Sequence, residues 1–121
     1  MIEVRGEGSL RNTLVEMERA LEVAKLLIHE MGHVSKWKLL YGEIQLLNHR
    51  VDAILEAETS NGSKRIAIEI VSKMEDIKRN ENKLKLLKSF GIVDDGYIVI
   101  MSPADIEQDL SSKRDRIVKV M

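Results

Sequence analysis

The sequence predicts an α/β domain: a mixed β-sheet flanked by helices. Three observations predict it. Apolar residues at 10, 14, 17, 21, 24, 28 and 31 follow the three-and-four spacing of one long amphipathic helix. Residues 51–73 hold two strand-like runs around a polar Asn61–Gly62 turn, a strong hairpin signal. Residues 97–101 (YIVIM) are unbroken apolar chain, as in a strand covered on both faces. Strand runs interspersed with helical patterns place the chain in the α/β or α+β class.

Taken in order, residues 1–9 contain two glycines and read as a loose or short extended start, with Ser9 a candidate N-cap. The first helix covers residues 10–31, and Gly32 stops it as a C′ glycine does. Residues 33–48 have an ambiguous period and read as strand, with a bulge or turn at Gly42. The hairpin follows. Residues 76–90 form a second helix, with Ile77, Leu84 and Leu87 toward the core and Lys78, Arg79, Lys83, Lys85 and Lys88 outward. Gly91 ends it. After the Asp94-Asp95-Gly96 turn comes the apolar strand. Pro103 lies in the first turn of a short helix reaching about Leu110. Residues 116–121 fit a last strand or a helix end.

The totals fit one domain. A chain of 121 residues can bury a core without covalent staples. There are no cysteines, which excludes disulfides and zinc–thiolate sites and agrees with a cytoplasmic protein. Net charge is −1, so no global basic signature marks a nucleic-acid binder. No apolar run approaches a membrane span, and no leader pattern opens the chain.

Two acids stand inside apolar runs. Asp52 lies in Val51-Asp52-Ala53-Ile54 and Glu69 in Ile68-Glu69-Ile70-Val71. An ionised carboxylate there is costly unless it is paired or binds a metal. Side chains two apart share a strand face, so Ile66, Ile68 and Ile70 lie on one side. Ala67, Glu69, Val71 and Lys73 lie on the other. Two carboxylates on neighbouring strands can hold a hard cation such as magnesium, which lowers the pKa of a bound water. A lysine beside them stabilises a developing oxyanion. Lys73 has Glu69's parity but lies about 13 Å along an ideal strand.

The segments VDAILEAE and RIAIEIVSK resemble the core of the PD-(D/E)XK nuclease superfamily, particularly its archaeal Holliday-junction-resolvase and Mrr-like branches. Asp52 matches the family's first acid, with Val51 in place of the proline. Glu69 matches the second. The family's lysine falls at Val71, and Lys73 follows two residues later as the relocated candidate. The resemblance implies a restriction-endonuclease-like fold ordered helix–strand–strand–strand–helix–strand. It implies magnesium or manganese at Asp52 and Glu69, with the Ile70 carbonyl. It also implies a further acid on the first helix, where Glu18 is the best match and Glu22 and Glu16 stand behind it. The activity implied is metal-dependent endonucleolytic hydrolysis of DNA, with Lys78, Arg79, Lys83 and Lys85 on phosphates. A homodimer supplies two sites for two strands.

Two other readings compete. A relative that kept the fold and lost the chemistry would serve as a nucleic-acid-binding or assembly module, and Val71 at the lysine position favours it. Alternatively the hairpin acids are only salt-bridged to Arg50, Lys64 or Arg65, in which case they face apart. His29 and His33 are i, i+4, but Gly32 interrupts their helix. Trp37 and Tyr41 read as core.

Overall fold

The computed structural model describes residues 2–4, 10–101 and 117–121, with side chains from residue 14 onward except Glu43. The order is β1 (Ile2–Val4), α1 (Leu10–Met31), β2 (Val34–Leu46), β3 (His49–Thr59), β4 (Gly62–Val71), a 3-10 turn (Met74–Asp76), α2 (Ile77–Ser89), β5 (Asp95–Ile100) and β6 (Ile117–Val120). This is an α/β protein: among the described residues two helices pack on a six-stranded mixed sheet, and the strands lie in sequence order. β2, β3 and β4 form an antiparallel meander. β1 adds to one edge parallel to β2, β5 runs parallel to β4, and β6 closes the other edge antiparallel to β5. The parallel β4–β5 pair needs a crossover, and α2 is that crossover.

α1 matches the expected helix from end to end. Ala20, Val23, Ala24 and Leu27 meet Leu39, Tyr41, Ala53, Leu55, Ile66, Ile68 and Val99 on one face of the sheet. The buried face is thus rotated from the expected stripe: Met17, Leu21, Ile28 and Met31 are only partly buried at its side, and Leu14 is exposed. α2 covers the other face with Leu84 and Leu87, against Val51, Ile54, Ala67, Val71 and Ile98. β4 therefore alternates as its parity requires: Ile66 and Ile68 face α1, while Ala67 and Val71 face α2. β5 is covered on both sides, with Val99 toward α1 and Ile98 toward α2.

The glycine stops behave as their positions suggest. Gly32 has φ +62° and donates to the Ile28 carbonyl at 3.2 Å. After α2, the Gly91 N–H bonds the Lys88 carbonyl and the Ile92 N–H bonds the Leu87 carbonyl, both at 3.0 Å. This is a Schellman end that needs the left-handed Gly91. The β3–β4 hairpin forms, but its turn is Ser60–Asn61, one residue before the expected centre. Gly62, at φ +108°, opens β4. The β2–β3 turn at Leu47–Asn48 was not foreseen. Both residues are left-handed, as a two-residue primed turn requires, and leucine gives no sequence signal for that conformation. Residues 117–120 are strand rather than helix end. The short helix expected near 102–110 and the Ser9 cap lie outside the described residues. Among the described residues no helix is long and apolar enough to cross a membrane.

β5 and α2 approach closely at Gly96. A Cβ there would stand 3.0 Å from the Leu84 Cβ and 3.3 Å from its Cδ1. Leu84 is fully buried. Gly96→Ala should therefore lose about 1–3 kcal/mol by overpacking. Leu84→Ala should lose about 2–5 kcal/mol by opening a cavity. The double variant should lose somewhat less than the two together, because Leu84→Ala removes the Cδ1 and Cγ contacts at 3.3 and 3.4 Å while the Cβ contact at 3.0 Å remains. Urea unfolding of the three variants checks this, and strict additivity would refute the contact.

Candidate active site

The site lies where the meander stops being regular. Tyr41 pairs with Ala53, and the next β2–β3 pair is Ile44 with Val51. Two β2 residues, Gly42 and Glu43, thus stand opposite Asp52 alone. This is a β-bulge, and Gly42 takes φ +93° within it. The bulge breaks the alternation of β3. Ala53 and Leu55 pack toward α1, yet Val51 packs toward α2 with Ile54. Asp52 is the residue at which the strand turns over.

β3 and β4 part at the same level. Their register runs from Thr59↔Gly62 to Ala53↔Ile68 and ends there. Beyond it, each acid accepts a hydrogen bond from the opposite strand. The Asp52 N–H donates to Glu69 Oε1 at 3.1 Å, and the Ile70 N–H donates to Asp52 Oδ2 at 2.7 Å. The two carboxylates fill the gap left by the missing ladder bonds, so no main-chain donor is stranded there. The acids face each other. Of the reading in which the acids face apart and pair with Arg50, Lys64 or Arg65, the facing apart does not hold. Lys64 and Arg65 lie opposite Ala57 and Glu56 at the other end of the hairpin, while Arg50 does lie beside Asp52 and favours its charged form. Arg65 pairs with Glu56 at 3.9 Å.

Lys83 of α2 completes the group. Its Nζ lies 3.2 Å from Glu69 Oε2 and donates to the Arg50 carbonyl at 2.6 Å. The first turns of α2 are anchored nearby: Asn80 Nδ2 donates to the Asp76 carbonyl, and Arg79 pairs with the Asp76 carboxylate at 3.1 Å. Asp52, Glu69, Arg50, Ser72, Arg79 and Lys83 line an open cleft of about 370 Å³.

Two desolvated carboxylates lie close together, with the Lys83 ammonium on Glu69 and Arg50 and Arg79 lining the same cleft. Burial first, then the Asp52 charge, pushes the Glu69 carboxyl up to about 7, although Lys83 and the Asp52 N–H act against it. Burial also raises Asp52, opposed by the bond from the Ile70 N–H, with Glu16 raising it and Lys83 and Arg50 lowering it. These are the conditions a hard divalent cation relieves. Among the described residues no group of three or more His, Cys, Asp or Glu side chains is arranged to hold a metal. The carboxylates brought together here are two, Asp52 and Glu69.

The structure distributes the expected site residues unevenly. It brings together Asp52 and Glu69, with Ile70 beside them. Lys73 is exposed, because β4 ends at Val71 and the chain turns away before the 3-10 turn. Glu18 is exposed too. Glu16 lies about 200° round the helix from it. Glu16 accepts a 2.7 Å bond from the Tyr41 hydroxyl, and its charge reaches Asp52. Burial raises the Tyr41 hydroxyl pKa, and Glu16 reinforces that. Of the four basic residues on α2 expected at phosphates, Lys78 is exposed, and Lys85 is tied to Glu81 at 3.1 Å. Arg79 lines the cleft, and Lys83 turns inward rather than outward. Lys83 is three residues after Asn80 and one before Leu84, both buried, and that adjacency is the available sequence signal for its direction. Comparison with protein-family models, with curated proteins and with solved structures found no match to this chain.

Proposed function

We propose that this chain is a metal-dependent endonuclease of the PD-(D/E)XK type that hydrolyses DNA phosphodiester bonds. The observation that carries the reading is the pair of carboxylates on parted strands, each bonded to the other's strand, with the Lys83 ammonium on Glu69. Element order supports it as well. Helix, three-stranded meander, helix and parallel strand is the order a restriction-endonuclease-like fold has, and α1, β2, β3, β4, α2 and β5 follow it. β1 and β6 extend the sheet at its edges.

A magnesium or manganese ion at Asp52 and Glu69, with the Ile70 carbonyl, would polarise the phosphodiester and make a bound water acidic. Lys83 provides the positive charge beside the reacting phosphate that Lys73 cannot reach. Arg79 at the rim, and Lys78 and Lys85 on the outer surface of α2, are candidate phosphate contacts. Glu16, held by Tyr41, is the helix acid placed to act on Asp52. Cutting both strands needs two sites, so the working form is a homodimer in the cytoplasm.

One observation favours a second reading, a nuclease-fold module without chemistry. Asp52 Oδ2 and both Glu69 oxygens already have protein donors within 3.2 Å, which stabilises the pair without metal. Assays on branched, duplex and single-stranded DNA with magnesium or manganese decide between them. Metal-dependent cleavage is expected, and both Asp52→Ala and Glu69→Ala should lose it. A folded protein that cuts none of these and shows no thermal shift with manganese would be the module.

A further inference from the structure

Lys83 sits in a cation's environment. Its ammonium lies between a carboxylate oxygen of β4 and a main-chain carbonyl of β3, 3.2 Å and 2.6 Å away. Those are the hard oxygen donors that a magnesium or manganese ion takes. The lysine side chain is only 19% exposed and the Glu69 side chain only 5%, so solvent screens this contact weakly. Its helix is fixed: Asn80, Leu84 and Leu87 are buried beneath α2. The backbone at Lys83 cannot back away, but its four-carbon stem can re-aim the ammonium at little cost.

We propose that Lys83 is a built-in counter-ion, occupying part of the cation site in the metal-free protein, and that a divalent ion binds by displacing it. This rests on Asp52 and Glu69 being a metal site. In the metal-free protein the ammonium compensates Glu69, whose burial otherwise leaves an unpaired charge. When metal arrives, repulsion between the two cations drives the ammonium away from Glu69 Oε2. The ammonium swings off into the cleft, where an incoming phosphate can meet it. One side chain thus stabilises the empty site, weakens metal binding through competition, and is delivered to substrate only when the metal is in place.

The test is manganese binding, followed by titration calorimetry and by the electron-spin resonance of free manganese. Lys83→Gln keeps a donor but no charge, and Lys83→Met keeps neither. Both should bind manganese about tenfold more tightly than wild type, the order expected when a unit charge a few ångströms away stops competing. Equal or weaker binding in both would overturn the inference, since a lysine that merely positions Glu69 weakens binding when removed. Wild type bears an independent check. Acylation of lysines read by mass spectrometry should find Lys83 protected without metal and labelled with manganese. Unchanged labelling overturns the inference even if the variants fail to fold. The two levels of argument separate. If wild type binds manganese, Asp52→Asn does not, and Lys83→Gln matches wild type, the counter-ion falls and the metal site stands. If neither wild type nor the variants bind manganese, both fall.

Discussion

Lys83→Ala should lower single-turnover cleavage by about 10²–10³-fold at saturating manganese, the range for removing one charged stabiliser of a transition state. Lys73→Ala should stay within about twofold of wild type. The two lysines differ in position and in little else. Lys73 is exposed past the end of β4, whereas the Lys83 Nζ is 3.2 Å from a Glu69 carboxylate oxygen. Lys83→Arg should recover little, because a planar guanidinium does not fit a site built around a compact ammonium. Metal affinity and rate should move in opposite directions in Lys83→Ala: tighter manganese and slower chemistry. A larger loss in Lys73→Ala than in Lys83→Ala would reverse the assignment of the lysine. Equal small losses would remove lysine from the chemistry altogether.

Glu69→Gln should be inactive and, at pH 8 without metal, more stable than wild type. Glu69 has a folded-state pKa of about 7 against an ordinary value of 4.5, so the folded protein holds its proton more tightly than the unfolded chain does. Below about pH 4.5 the group is protonated in both states, and the favourable contribution is complete. It declines as pH rises from there and is lost above about pH 7. The size is about 3 kcal/mol. Glutamine resembles the protonated acid and can still accept from the Asp52 N–H, so the variant escapes that loss. The stability difference between Glu69→Gln and wild type should therefore grow in the variant's favour from pH 5 to pH 8, read by urea unfolding at each pH. Asp52, also raised by burial, adds to the wild-type trend in the same direction. Manganese should oppose the trend by stabilising wild type more at pH 8 than at pH 5, because it binds the ionised pair. A stability difference that does not change with pH would mean that Glu69 is not held in the environment described. The pattern is a pair of buried carboxylates that costs stability as the pH rises.

Much of the framework was legible because it depends on local rules. The three-and-four spacing over 10–31 marks α1 as an amphipathic helix, although its buried face centres on Ala20, Val23, Ala24 and Leu27 rather than on the expected stripe, and Gly32 determines where the helix ends. Strand parity put Glu69 on the face away from Ile66 and Ile68, and it lies there. Unpaired acids in apolar runs marked Asp52 and Glu69, since burial there demands a partner. The features that were not legible depend on contacts between distant segments. The bulge opposite Asp52 exists because β2 and β3 must stay paired on both sides of an extra residue, and no short window of sequence contains that mismatch. Lys73 has the right parity for Glu69, but parity lapses when the chain leaves the strand at Val71. Glu18 is the best match by sequence, ahead of Glu22 and Glu16, yet Glu18 is exposed and Glu16 is the one held by Tyr41. The rotation of α1 on the sheet, set by Val23, Leu27 and Tyr41 packing together, decides that Glu16 points toward Asp52. Lys83 read as one of a solvated basic set, and the docking of Leu84 and Leu87 rolled it into the cleft. Sequence by itself determined α1, the β3–β4 hairpin, α2, β5 and the two acids, because periodicity and the cost of burying charge act within a segment. Tertiary structure decided which lysine and which glutamate join them, because that depends on how each helix is rotated against the sheet.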